Sequence, residues 1–257
     1  MRNFFRLKWV VFWMSAGIPV AWESTFAGTN QQIWGIANLD YRPLEDRRLR
    51  LQLQPRSSDL IGEEETTDRD FERIEIQGSY LRQVSAKGAS QLWAGGGFTL
   101  VSPLMEGIRG ERRPFLELMP RHRSSIDAGT LTLDLRSRFE VRFQDQTRAQ
   151  TRFRIRPMIV FEPKAQSWAK TGTLFFEGAM ELFTTITGTR FQWVDQSRFM
   201  ASSGIRFSGL PLIASIGPMV RFQRGQTTWI AQFQVTYTIG ASGPKPETSS
   251  PGLLDVE

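Results

Sequence analysis

Two groups of residues in this sequence are placed to do chemistry. The first is arginine at every second position: Arg136, Arg138 and Arg142 surround Glu140, and Arg152, Arg154 and Arg156 follow a few residues on. A guanidinium is always charged and offers a planar fork of donors to carboxylate, phosphate or sulfate. Glu177, Glu181, Arg198 and Arg206 continue the set further along the chain. Gathered on one face, these groups make either a salt-bridged wall or the lining of a narrow anion-selective channel or binder. The second group is His122 with Ser124 two positions on, the minimum for ester hydrolysis once a carboxylate orients the ring. His122 stands among Arg121, Arg123 and Ser125, which supply no such acid, so catalysis is the weaker reading and enzyme status stays open.

The elements that position these residues are strands. In Leu131 to Phe143, LTLDLRSRFEVRF, the residues Leu131, Leu133, Leu135, Phe139, Val141 and Phe143 share one face. Thr132, Asp134, Arg136, Arg138, Glu140 and Arg142 share the other. Helical spacing would scatter the charges all round, whereas a period of two separates the sets completely. The segment up to Phe161 repeats the device, and similar runs cover Ile33 to Tyr41, Leu49 to Leu53, Phe71 to Arg82, Leu92 to Val101, Phe115 to Arg121, Thr173 to Phe183, Gln196 to Phe207, Leu212 to Phe222 and Trp229 to Ile239. These are eleven candidate strands. Bacterial single-chain barrels have even numbers, so ten or twelve is the expectation. Between them lie turn-forming clusters, one with the acidic run Glu63-Glu64-Glu65, which reads as a solvated loop.

A soluble sandwich alternates too, so the chemistry of the faces must discriminate. Of the 32 basic residues 27 are Arg and 5 are Lys, and the polar face carries Arg with interspersed carboxylates and Gln, unlike a water-facing sheet. Arginine facing lipid near the midplane costs ~2–4 kcal/mol, so these must point inward and the apolar face outward. Trp229 and Tyr237 lie eight residues apart on that apolar face. That is about 27 Å of strand, or roughly 20 Å of depth after a ~40° tilt, a spacing that suits two aromatic girdles.

The net charge of +6 would by itself suggest nucleic acid. Arginines spaced through apolar runs, with few lysines, argue against such a partner. Cysteine is absent and histidine occurs once, which excludes disulfides and most transition-metal sites. No cofactor is expected. Gly95-Gly96-Gly97 lacks a following Lys and helix, so it is no phosphate loop and instead permits bending or close approach of an interior group. At the amino end, Arg2, Arg6 and Lys8 precede an apolar run from Trp9 to Trp22 and a small-x-small site at Ala27. This order is that of a secretory signal, and 14 residues fall short of the ~20 that span a bilayer as a helix.

The same residues carry a family resemblance. Arg138-Phe139-Glu140-x-Arg142, Arg152-Phe153-Arg154-Ile155-Arg156, Phe175-Phe176-Glu177 and Asp195-Gln196-x-Arg198-Phe199 resemble the outer-membrane family catalogued as domain of unknown function 2490, across Trp34 to Ile239. The resemblance implies an outer-membrane barrel without an assigned reaction. The sequence departs in having eighteen residues after Ile239, where such barrels commonly end on an aromatic.

The expectation is therefore an all-β protein: a single antiparallel up-and-down transmembrane β-barrel of the Gram-negative outer membrane, porin-like. Residues 1–27 form the signal peptide, 28–240 the barrel and 241–257 a disordered tail. Its partners would be outer-membrane lipids, the barrel assembly machinery and small anionic solutes. An outer-membrane lipid hydrolase using His122 and Ser124 is the alternative. For the hairpin after Phe143, a three-residue turn Gln144-Asp145-Gln146 sets Arg142 opposite Arg148, Glu140 opposite Gln150 and Arg138 opposite Arg152. A slip of two sets Glu140 opposite Arg152 instead.

Overall fold

The computed structural model describes residues 30–57, 71–104, 110–144, 149–164, 172–187, 190–223 and 225–240. The expected signal peptide, the acidic run at 63–65 and the tail lie outside these residues, as do Asp145 and Gln146. Eleven strands form one closed barrel: β1 (Asn30–Leu44), β2 (Arg47–Ser57), β3 (Phe71–Lys87), β4 (Ser90–Pro103), β5 (Glu111–Ile126), β6 (Gly129–Gln144), β7 (Gln150–Pro163), β8 (Gly172–Thr187), β9 (Arg190–Phe207), β10 (Leu212–Gln223) and β11 (Gln226–Gly240). Each pairs with its neighbours in sequence, and β1 closes on β11.

The count of eleven corrects the expectation of ten or twelve, and with it the expectation of a purely antiparallel sheet. In a meander every strand reverses direction, so an odd number leaves the first and last running the same way. The closing ladder is accordingly parallel, from Asn30 opposite Thr228 to Arg42 opposite Gly240. The even-number rule fails here because closure needs only a continuous hydrogen-bonded register, which a parallel pair supplies. One consequence is positional: Asn30 and Gly240 stand at opposite rims. We call the end carrying the β3–β4 turn the Gly88 rim and the end carrying the β10–β11 turn the Gly225 rim. Gly88 and Gly225 adopt positive φ (56° and 80°) in short connections, where Lys87 pairs with Ser90 and Gln223 with Gln226. A left-handed backbone there is nearly free for glycine and strained for other residues.

The hairpin after Phe143 takes the slipped register. Glu140 faces Arg152, Arg142 faces Gln150, Arg138 faces Arg154 and Arg136 faces Arg156. The three-residue turn is thereby corrected, since β6 continues through Gln144 and Arg142 pairs with Gln150. The strands also run beyond the expected segments: β2 has 11 residues and β5 has 16, because alternation persists toward both rims, as in Arg112, Pro114 and Leu116 on one side and Arg113, Phe115 and Glu117 on the other.

Burial is inverted relative to a soluble domain. Among the described residues, twenty-two polar side chains are buried against eleven apolar ones, while thirty large apolar side chains are exposed. Leu116, Leu118, Leu133, Leu135 and Phe139 are among the exposed, and Glu117, Asp134, Arg138 and Glu140 among the buried. Period-two patterning thus places the charges in the barrel and the hydrocarbon on its outside wall. The interior's apolar cluster is small: Trp34, Met219 and Ile230, each at most 2 % exposed, with Met200 against them. It lies toward the Gly225 rim, on the strands flanking the parallel seam.

Inner-face glycines make room for aromatic rings. Gly97 lies directly opposite Phe115, and a Cβ there would fall 2.7 Å from Phe115 Cζ and 2.1 Å from the Gly78 carbonyl oxygen. Gly204 lies opposite Phe175 in the same way, with 2.3 Å to Phe175 Cζ. In each case the ring covers the strand that lacks a side chain.

Candidate functional site

Cross-strand neighbours in a barrel must share a face, so inward charges are brought against charges on adjoining strands. The result is a repeated unit of one carboxylate held by two guanidinium groups. Asp40 on β1 takes Arg48 and Arg50 from β2, with Arg50 Nε 2.6 Å from Oδ1. Glu117 on β5 takes Arg136 (2.8 Å) and Arg138 (2.7 Å) from β6. Glu181 on β8 lies between Arg154 of β7 (3.4 Å) and Arg198 of β9 (3.0 Å). Glu111 joins Arg113 (2.5 Å) to Arg142, and Glu75 joins Arg56 (2.8 Å) to Arg113 (3.7 Å). Asp134 accepts both forks of Arg121 at 2.6 and 2.7 Å.

All eleven residues singled out from sequence line one interior cavity of about 810 Å³: Arg136, Arg138, Glu140, Arg142, Arg152, Arg154, Arg156, Glu177, Glu181, Arg198 and Arg206. Glu140 lies 3.6 Å from Arg152, Glu177 3.3 Å from Arg156, and Arg206 reaches Glu162 at 2.8 Å. Sequence reasoning missed a second set on the same wall, including Asp40, Arg42, Arg48, Arg50, Arg56, Arg73, Glu75, Arg113, Glu117 and Arg121. The signal was available in Arg48-Leu49-Arg50-Leu51, whose alternation matches that of β6.

Among the described residues the cavity lining contains sixteen arginines and eight carboxylates. Glu111, which reaches Arg113 and Arg142 from the same face, and Glu162, which reaches Arg206, bring the excess to six positive charges. Aromatic rings take part of the load. Arg56 stacks 3.8 Å over Trp34, Arg138 3.8 Å over Phe115, and Arg152 and Arg198 sit 4.8 and 4.6 Å from the Phe183 ring centre. Such contacts are worth about 0.5–2 kcal/mol each and leave the charge in place. Arg42 Nε and Arg56 Nε are buried without a hydrogen-bond partner.

The cavity is not evenly open. Toward the Gly88 rim Arg206 keeps 54 % of its side chain exposed and Arg121 31 %, whereas Arg56 and Arg152 near the other rim keep 7 %. Trp34, Phe183 and Met219 are buried at that second level, and the cavity lining continues past them to Gln144, Gln150 and Gln223.

His122 and Ser124 lie on β5 facing outward, with His122 opposite Ser90 on β4 and opposite the exposed Leu133 on β6. His122 Nε2 is 2.8 Å from Ser124 Oγ and Nδ1 is 2.9 Å from Ser90 Oγ. The ring is therefore fixed, but by a hydroxyl where a catalytic triad has a carboxylate.

A closed, odd-stranded β-barrel with an ion-paired interior defines the class of protein. The profile of the family described as "Protein of unknown function (DUF2490)" matches residues 31–232, and the chain belongs to that family. A comparison with curated proteins and one with solved structures return no match.

Proposed function

We propose that this protein is an outer-membrane β-barrel whose lumen is a one-mouthed pocket for small multivalent anions. The observation that carries the reading is the excess of arginine around a single cavity. Two like charges about 8 Å apart at an effective dielectric of 20 repel by about 2 kcal/mol, so an excess of positive charge around one cavity carries a repulsive cost. A phosphate-like or polycarboxylate guest would relieve the repulsion and find planar donor forks already arranged. The volume falls within the range of small-molecule sites.

The inverted burial supports the membrane part of the proposal. Thirty exposed large apolar side chains are too many for a water-facing wall of this size, and lipid is the solvent in which they are stable. On this reading residues 1–27 direct export and are removed, the barrel assembly machinery inserts the chain, and residues 241–257 form a polar tail. The lower exposure of the lining arginines near the Gly225 rim than near the Gly88 rim favours a binder over an anion-selective channel. The carboxylates act as staples between strands, which makes wall reinforcement a second role of the same residues.

Thermal unfolding of the detergent-purified protein with inorganic pyrophosphate tests the reading. A saturable rise in Tm is expected that matched sodium chloride does not reproduce, together with no steady conductance in planar bilayers. Equal effects of the two salts would contradict anion binding, and a stable open conductance would contradict the single mouth.

Lipid hydrolysis by His122 and Ser124 remains the alternative, favoured only by their 2.8 Å contact. It lacks the orienting acid.

A further inference from the structure

We propose that the outside wall carries a binding groove for one anionic glycerophospholipid, running from Lys87 and His122 toward Gly178. This rests on the reading that the wall faces lipid. The groove encloses about 880 Å³ and crosses β3 to β8 on the outer surface. Its floor is apolar, built from Leu92, Leu135, Pro157, Ile159 and Met180 around Gly178. Two features of the chain make the wall concave there. Pro120 and Pro157 lie on the strands either side of β6 at the level of Leu135, and neither has an N–H to donate: the β5–β6 pairing skips from Leu118 to Arg121 and the β7–β8 pairing from Ile155 to Met158, while β6–β7 runs unbroken between them. Gly178 opposite Ile159 then leaves a gap in the outward row of β8 between Phe176 and Met180.

The two ends of the groove differ in chemistry. Lys87, Ser90 and His122 form one end, at and just below the β3–β4 turn on the Gly88 rim. Gly178 is six residues into β8, away from that rim. Strands lie about 4.8 Å apart, so six of them span roughly 24 Å. With strands tilted ~40°, a groove perpendicular to them descends about 15 Å into the bilayer from its polar end. This is the shape of a phospholipid: an anionic headgroup at the level where Lys87 and the Ser90–His122 pair can donate to phosphate, and an acyl chain sloping inward over leucine and proline. A bulk lipid film needs no polar group at this place, whereas a retained lipid does.

Native mass spectrometry of the full-length protein, after reconstitution in mixed phosphatidylglycerol and phosphatidylcholine vesicles, tests the proposal. The unaltered protein should keep one phosphatidylglycerol in preference to phosphatidylcholine. Gly178→Leu, which fills the gap, should reduce retention of either lipid at least fivefold. Lys87→Gln combined with His122→Ala should erase the preference for the anionic headgroup without loss of folding. Flotation with the vesicles is read in parallel for every form. Protein that floats yet retains lipid equally in all forms overturns the groove and leaves the membrane reading intact. Protein that does not float overturns both.

Discussion

Arg138 and Glu117 stand directly opposite each other on β6 and β5, and Arg138 donates to Glu117 through Nε at 2.9 Å and Nη2 at 2.7 Å. Both are 4 % exposed or less, and the guanidinium also lies on Phe115 and reaches Gln77. Removing one partner of such a pair strands the other in a medium that solvates it poorly. Glu117→Gln should therefore destabilise the barrel by about 3–5 kcal/mol, measured by urea unfolding in detergent. Glu162→Gln, whose partners Arg123 and Arg206 are more than half exposed, should cost about 1 kcal/mol or less. Equal effects would show that the interior is wet enough to screen its ion pairs.

Phe115 over Gly97 supplies a steric test on the same network. Gly97→Ala places a methyl against Phe115 and the Gly78 carbonyl, so the ring must leave Arg138 or the strands must part. We expect a loss of about 2 kcal/mol or more, together with a smaller heat-induced mobility shift on gels. Gly178→Ala, with only Ile159 Cγ2 at 3.4 Å, is the mild comparison.

Much of this arrangement was legible in the sequence, for a specific reason. In LTLDLRSRFEVRF the two faces differ so strongly that sidedness and inward charge follow from a period of two. What escaped were inward charges of β1 to β3 and of β5: in β1 Trp34, Ile36 and Gln31 break the contrast and the inward Asp40 and Arg42 sit among mixed neighbours, while Arg113, Glu117 and Arg121 of β5 went unread. Local alternation counted the eleven strands; the expectation of ten or twelve came from the even-number rule, which the parallel closing ladder breaks through a contact between residues some two hundred positions apart that no local pattern encodes. The slipped register at Glu140 was open for a related reason, as both alternatives keep charges inward and only the turn decides.

The odd strand number makes a topological prediction. Asn30 and Gly240 leave the barrel at opposite rims. Epitope tags placed just before Asn30 and just after Gly240 should therefore differ in accessibility in intact cells, one reacting only after permeabilisation. Tags that react together would mean that a further strand closes the barrel.

The Ser90–His122–Ser124 set gives a prediction about chemistry. With a hydroxyl on Nδ1 in place of an acid, the purified protein should release no fatty acid from phospholipid above the buffer rate, and His122→Ala should match it. Turnover that His122→Ala abolishes would establish the hydrolase alternative.

The central claim is that the wall faces lipid and the charges face inward. The absence of cysteine makes this directly measurable. Single cysteines at Leu118, Phe139 and Ile216 on the wall, and at Gln77 and Ser215 inside, can each carry a fluorophore in vesicles of brominated lipid. The account predicts strong quenching at the first three and little at the last two. Quenching of the interior labels, or of none, would contradict it.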